Sequence, residues 1–272
     1  MHPLTLDAAF LTALGGALAL ALGAAPLGVI LIGRRMSLVG DSLSHATLPG
    51  AAIVYVLAGP DPWLLTLGAL VAGVVVAISS TFLSRVGRMP EDAAFAVLYL
   101  TALAIGIVIL KRSASAEVVE SLLFGSPGAL DRPGLILAAA AAAGTLLALK
   151  FAAHRLEAAA DERAGLFGSQ VLLMALVALN LVAGFRAFGA LMTVGLIMIP
   201  AAAARFWAES FKGRMAAAVA ICAGSSVAGL LGARAFDVET GPAMVLAAAT
   251  LFGVSALFGG RRIGAGPSAP AV

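Results

Sequence analysis

The sequence predicts an all-α protein that lies almost entirely in a membrane, a polytopic transmembrane helical bundle of about eight or nine spans. Of its 272 residues, 61% are hydrophobic and 11% are charged, whereas soluble domains carry about 25% charged residues. The charges gather in short islands, and the uncharged runs between them are long enough to cross about 30 Å of hydrocarbon as helices. The alternation typical of a closed barrel is missing, so these runs are predicted to be helical.

Nine apolar runs qualify as spans. They cover residues 8–33, 42–59, 62–84, 93–110, 133–149, 164–185, 187–204, 215–233 and 240–260. The fifth run is short and rich in alanine, and only Arg186 separates the sixth from the seventh. A broken or re-entrant helix at that point would lower the number of spans to eight.

The lysines and arginines predict the orientation. With the N-terminus outside, twelve of the 17 basic residues fall on the cytoplasmic side and five outside, in keeping with the excess of Lys and Arg in cytoplasmic loops. We therefore expect an outside N-terminus and a cytoplasmic C-terminus. Residues 1–263 are expected to form a single transmembrane domain, and residues 264–272, rich in Gly, Pro and Ala, a flexible tail.

The most informative stretch is RRMSLVGDSLSHATLPG, residues 34–50. Asp41 and His45 are four residues apart, which places both side chains on one face of a helix, where they could bind a divalent cation together. An ionisable residue in a membrane is costly and usually faces a cavity or a partner. The plainer alternative is that Asp41 caps the helix and His45 bonds to a neighbour.

Two ligands do not complete a metal site. Two copies of the chain that meet along this helix would supply two Asp and two His, a set of oxygen and nitrogen ligands suited to zinc or manganese. The same residue types also serve ferrous iron, so the pattern leaves the ion open. A homodimer with a pore at its centre is the natural inference.

Several kinds of chemistry are missing from the sequence. It contains no GxxxxGK followed by Ser or Thr, no HExxH and no GxSxG, so it has neither a P-loop for ATP nor a visible catalytic set. The single cysteine, Cys222, permits no disulfide within one chain. The prediction is a transport subunit rather than an enzyme, without a permanently bound cofactor.

These motifs resemble the permease family of zinc and manganese ATP-binding-cassette importers. The likeness includes residues 34–50, APLG at residues 25–28, LFG at residues 123–125, FGALMTVGLIMIPAAAAR at residues 188–205, and GP at residues 241–242. The charged inner loop adds Glu162, Ala164 and Gly168, which resemble the E-x-A-x-x-x-G pattern with which such subunits contact an ATPase. Without the resemblance, that loop would be interpreted as a solvated helix.

The resemblance implies a type II ABC importer permease in a bacterial inner membrane, acting as a homodimer by alternating access. It further implies a separate cytoplasmic ATPase, an extracytoplasmic metal-binding protein that delivers the ion, a pore role for Asp41 and His45, and a coupling role for Glu162, Ala164 and Gly168. The alternative is a self-sufficient secondary transporter, in which Asp41 and His45 would exchange protons for metal.

Overall fold

The described part of the chain is a bundle of ten helices without a strand. A computed structural model describes residues 8–36, 39–113, 132–151 and 167–259. In chain order the helices are α1 (Ala8–Gly33), α2 (Val39–Ala46), α3 (Leu48–Ala58), α4 (Pro62–Gly87), α5 (Glu91–Ser113), α6 (Arg132–Phe151), α7 (Phe167–Phe188), α8 (Ala190–Ala204), α9 (Phe211–Phe236) and α10 (Thr240–Phe258).

All nine predicted runs correspond to helices, with two corrections to their boundaries. Within the described ranges, seven helices are long and apolar enough to cross a membrane: α1, α4, α5, α6, α7, α9 and α10. The alanine-rich fifth run is among them. The second run is not one helix but two, α2 and α3, and the break before α8 lies at Gly189 rather than at Arg186, which is still part of α7.

Local sequence explains where several helices begin and end. The carboxylate of Asp61 accepts hydrogen bonds of 2.9 Å from the backbone N–H groups of Trp63 and Leu64, and Pro62 follows it at the first helical position of α4. Gly189 has φ 87°, a left-handed value that costs glycine little and that separates α7 from α8.

The first helix lies at the centre of the bundle and packs against α6, α7, α8 and α9. One apolar core joins it to α2, α4, α5 and α7, and a second joins it to α8, α9 and α10. Small residues allow close crossings: a Cβ at Gly28 would collide with the carbonyl oxygen of Ile197. Large apolar side chains on the outer faces are exposed, among them Leu57 at 79% and Leu257 at 81%, as expected for surfaces that contact lipid.

Polar contacts between helix ends define two ends of the bundle. At one end, which we name the Arg34 end, Arg34 of α1 pairs with Glu91 of α5, and Arg85 of α4 donates to Gln170 of α7 at 2.7 Å. At the other end, the guanidinium of Arg186 lies 4.4 Å from the ring centre of Trp63. These contacts join residues that the charge pattern places on the same side of the membrane.

Candidate functional site

The short helix α2 presents a polar face that the described residues leave partly uncovered. Asp41 is exposed, and Ser44 and His45 are half-buried. The opposite face is buried and consists of Val39, Gly40, Ser42, Leu43 and Ala46. The predicted pairing of Asp41 and His45 on one face is therefore seen in the structure, and that face is open to whatever lies beyond the chain.

Both side chains lack a partner within the described residues. The carboxylate of Asp41 takes part in no hydrogen bond or ion pair there, and only its backbone carbonyl accepts one, from the hydroxyl of Ser44 at 2.6 Å. The Nδ1 atom of His45 is buried without a hydrogen-bond partner. An unsatisfied buried polar atom costs about 1–3 kcal/mol, so the described residues alone do not satisfy the imidazole of His45.

The capping alternative for Asp41 finds no support. Asp41 is the third residue of α2, which begins at Val39, and its carboxylate accepts no hydrogen bond from the backbone of a described residue. Asp41 is therefore inside the helix rather than at its N-cap. It is still in the first turn, where the helix dipole favours a negative charge.

The pair lies close to the middle of the bundle. Helix α2 ends just before Thr47, and Thr47 packs against Gly73, which lies near the middle of α4. If Gly73 carried a Cβ, that atom would lie 3.1 Å from the Cγ2 atom of Thr47. His45 is two residues before Thr47, about 3 Å along the helix axis toward the Arg34 end. A broken helix at mid-depth is a common architecture for substrate sites in transporters.

Glycines hold the broken helix in place. Gly50 and Gly68 bring the backbones of α3 and α4 together so closely that a Cβ on Gly68 would lie 2.6 Å from the carbonyl oxygen of Gly50. On the other side, the position of a Cβ at Gly40 is 3.4 Å from a methyl carbon of Val194 in α8. The backbone of α2 and α3 is thus fixed by contacts that leave its polar face free.

An ion pair beneath α2 was not predicted. The Nη2 atom of Arg34 donates to both carboxylate oxygens of Glu91, and the side chain of Arg34 is fully buried. The two residues are 57 positions apart, so no local pattern joins them. The only available signal was that both occur at the same predicted side of the membrane.

Gly168 is the one predicted coupling residue that the structure describes; Glu162 and Ala164 lie outside the described residues, as does the LFG motif. Gly168 is the second residue of α7, it is exposed, and a Cβ at this position would meet no atom of another described residue within 4 Å. The position is therefore open on the Arg34 end of the bundle.

Within the described ranges, no group of three or more His, Cys, Asp or Glu side chains could hold a metal ion. Asn180 instead links two helices, since its amide nitrogen donates to the hydroxyl of Thr145 at 2.8 Å. Cys222 is buried without a disulfide. The described residues therefore do not complete a metal centre around Asp41 and His45.

A polytopic bundle with a helix broken at Thr47, and with a polar face that has no partner among the described residues, is typical of membrane-spanning transport subunits. The chain belongs to the ABC 3 transport family, because the sequence model of that family matches residues 7–259. It is thus a multi-pass membrane permease of an ATP-binding-cassette system, as the motifs of residues 34–50 and 188–205 predicted.

Individual proteins agree with this assignment. The manganese transport system membrane protein MntC of Bacillus subtilis is 29% identical over 254 residues, which are 88% of this chain and 58% of that protein. The zinc transport system membrane protein TroC of Treponema pallidum is 30% identical over 261 residues, or 91% of this chain and 88% of that one. The solved structure of PsaBC from Streptococcus pneumoniae in complex with Fab matches with a TM-score of 0.75 at 28% identity, over 92% of this chain and 91% of that one.

Proposed function

We propose that this chain is the permease subunit of an ATP-driven importer of divalent transition metal ions, with zinc or manganese as the transported ion. The observation that carries the proposal is the uncovered face of α2, where Asp41 and His45 have no partner among the described residues. The names of the relatives, which transport manganese or zinc, support this class of ion. The chain spans 58% of the first of these relatives.

The proposed pore forms between two copies of the chain. If the uncovered faces of two α2 helices meet, the site contains two carboxylates and two imidazoles, which match the coordination preferences of Zn²⁺ and, with added water, Mn²⁺. Each copy supplies only half of the ligands, so a change in the distance between the copies weakens the site. Such a site suits transport, because the ion must leave as well as enter.

Alternating access would be driven from the Arg34 end. The proposed partners are a cytoplasmic ATPase, which contacts Glu162, Ala164 and Gly168, and an extracytoplasmic metal-binding protein that delivers the ion. ATP binding would move the inner loop and open the dimer interface to one side. In this proposal ATP hydrolysis occurs on the separate ATPase, and the permease carries no permanently bound cofactor.

Metal uptake into proteoliposomes tests the main proposal. The full chain is reconstituted with its ATPase and delivery protein, and uptake of labelled zinc and manganese is measured with and without ATP. We expect ATP-dependent uptake that falls at least tenfold in His45→Ala and Asp41→Asn. Asp237→Asn is the matched control, because Asp237 is exposed, lies far from α2 in sequence and has φ 52°, which asparagine also tolerates.

Two results would count against the proposal. Uptake by the chain alone, driven by a pH gradient, would replace it with the proton-coupled secondary carrier. Unchanged uptake in both α2 variants would show that Asp41 and His45 are not required for transport, and the family assignment would still hold.

Cross-linking tests the homodimer. Ser44→Cys places a thiol on the uncovered face of α2, and the native Cys222 is buried, so it should give little background. We expect a short bifunctional maleimide to link two copies through Ser44→Cys but not through Val254→Cys, an exposed position on α10. Cross-linking of both variants to the same extent would contradict the proposed interface.

Gly168 offers a test of the ATPase contact. Because a Cβ at this position meets no atom of another described residue within 4 Å, Gly168→Leu should leave the packing of the described helices intact and block a partner that docks there. We expect the ATPase to be lost on purification of Gly168→Leu and retained with Gly253→Leu, an equally open position on α10. Retention by both variants would exclude Gly168 from the contact.

The proposed location is a bacterial inner membrane, with the N-terminus outside and the Arg34 end in the cytoplasm. A membrane-impermeant maleimide should label Asp237→Cys in intact spheroplasts and Arg88→Cys only after permeabilisation, since these exposed residues lie at opposite ends of the bundle. The reverse pattern would invert the orientation.

We also propose residues 1–263 as one domain, so that deletion of residues 264–272, which lie outside the described residues, should not reduce uptake.

A further inference from the structure

Three arginines meet at a cleft on the Arg34 end of the bundle, away from α2. The cleft has a volume of about 320 Å³ and lies between the end of α1, the end of α8 and the start of α9. Its basic side chains are Arg35, Arg205 and Arg214, and its other lining residues are Val29, Ile32, Gly33 and Ala201. One part of the wall is therefore cationic and the other is apolar or small.

The positive charge of this cleft is not compensated within the described residues. No carboxylate lines it, and neither Arg35 nor Arg205 forms an ion pair or side-chain hydrogen bond there. Arg214 makes one such bond, from Nε to the carbonyl oxygen of Ala208 at 3.2 Å. Guanidinium groups around one cleft repel each other, and a bound anion would remove that repulsion.

Helix dipoles do not account for all three arginines. Arg35 and Arg205 follow the C-terminal ends of α1 and α8, where a cation is favoured. Arg214, however, is in the first turn of α9, where the dipole favours an anion and disfavours a cation. An anion bound by Arg214 would also be stabilised by the positive, N-terminal end of the α9 helix dipole.

Arg35 lies beside the cleft in a strained backbone conformation. Its φ of 61° is in the left-handed region, which costs a residue with a Cβ about 1–2 kcal/mol. The turn is fixed by hydrogen bonds from the N–H of Arg35 to Ile32 at 3.1 Å and from the N–H of Met36 to Leu31 at 2.9 Å. The arginines thus project from ordered helix ends rather than from a long loop.

We propose that this cleft binds the phosphate headgroup of an anionic phospholipid from the leaflet at the Arg34 end. Arginine binds phosphate oxygens in a bidentate manner, and basic pockets between membrane helices are suited to such headgroups. The apolar wall formed by Val29 and Ile32 accommodates the glycerol and the first acyl carbons, which a free phosphate does not possess. The volume is at the lower end of the range for small-ligand pockets, about 300–1,000 Å³.

The test compares lipids of different charge. The full chain with its ATPase is placed in nanodiscs of phosphatidylcholine alone or with phosphatidylglycerol, and thermal unfolding is measured. A short-chain phosphatidylglycerol is then titrated in detergent, beside inorganic phosphate and glycerol phosphate. The variants are Arg205→Gln, the triple variant Arg35→Gln/Arg205→Gln/Arg214→Gln, and the control Arg88→Gln, an exposed arginine at the same end that does not line the cleft.

We expect phosphatidylglycerol to raise the unfolding temperature of the wild type and of Arg88→Gln. The rise should be smaller in Arg205→Gln and absent in the triple variant, and the short-chain lipid should bind at least tenfold more weakly to the triple variant. Arg205→Lys keeps the charge but cannot bind phosphate in the bidentate manner, so its lipid affinity should lie between those of the wild type and the triple variant. This milder substitution keeps the test valid if the triple variant misfolds.

Three results would overturn the proposal. The first is an equal rise in unfolding temperature in the wild type and in Arg205→Gln. The second is binding of inorganic phosphate as tight as that of the lipid, which would make the cleft a free-phosphate site. The third is loss of the ATPase from the arginine variants in phosphatidylcholine alone, which would make the cleft a protein contact.

Discussion

The ion pair between the buried Arg34 and the partly buried Glu91 allows a quantitative test of how this bundle is held together. Replacement of Glu91 by Gln removes the negative charge while the side chain of Arg34, which is 0% exposed, remains in place. Loss of one partner of a buried pair costs about 3–5 kcal/mol, because the remaining charge is not compensated. Glutamine can still accept one hydrogen bond from Arg34, so we expect about 3 kcal/mol.

The double variant tests the physical reason. Arg34→Met with Glu91→Leu removes both charges and leaves apolar side chains of similar volume, and such replacements are often neutral or stabilising. We expect the double variant to be within about 1 kcal/mol of the wild type and more stable than either single variant. Asp92→Asn is the neighbouring control, since Asp92 is exposed.

Unfolding can be followed by the reactivity of Cys222, which is 0% exposed in the folded chain and is its only cysteine. A thiol-reactive dye should label it only as the bundle opens. For a chain of this size, 3 kcal/mol corresponds to a fall of about 6–12 °C in unfolding temperature. A fall in Glu91→Gln no larger than that in Asp92→Asn, or a double variant less stable than both single variants, would refute this reasoning.

Three further predictions concern packing and use the same dye. Gly50→Ala should lower the free energy of unfolding by about 1–3 kcal/mol, because its Cβ would collide with the backbone of α4. Gly253→Ala, whose Cβ would meet no atom of another described residue within 4 Å, should be neutral or slightly stabilising. Similar values for both variants would contradict the close packing of α3 against α4 at Gly50. Asn180→Leu, which removes the hydrogen bond to Thr145, should cost only about 0.6 kcal/mol, the average for polar contacts between membrane helices, and a loss of several kcal/mol would show that this bond matters more. Arg186→Gln should cost about 0.5–1 kcal/mol through its contact with the ring of Trp63, and an unchanged unfolding temperature would show that the contact contributes nothing.

Much of the fold could be predicted because its signals are local. The uncharged runs and the islands of charge follow from the absence of water in the membrane, where only helices satisfy their own backbone. The pairing of Asp41 and His45 on one face follows from helix periodicity alone.

Boundaries inside the membrane were harder to predict. The division of residues 42–59 into two helices at Thr47, and the position of the break at Gly189, depend on small residues whose effect is decided by neighbouring helices. Arg186 looked like a boundary because it is charged, yet it is part of α7, where it extends over Trp63 and donates to the carbonyl of Pro62 at 3.0 Å. A long side chain can reach the polar boundary while its backbone continues the helix.

By itself, the sequence determined the membrane class, the approximate limits of most helices, and the shared face of Asp41 and His45, because composition and helical period act over a few residues. Only the tertiary structure decided that this face is uncovered near mid-depth, that Arg34 pairs with Glu91, and that Arg35, Arg205 and Arg214 meet at one cleft. These features join residues far apart in the chain. They arise from the close packing of helices through small residues, which no local pattern encodes.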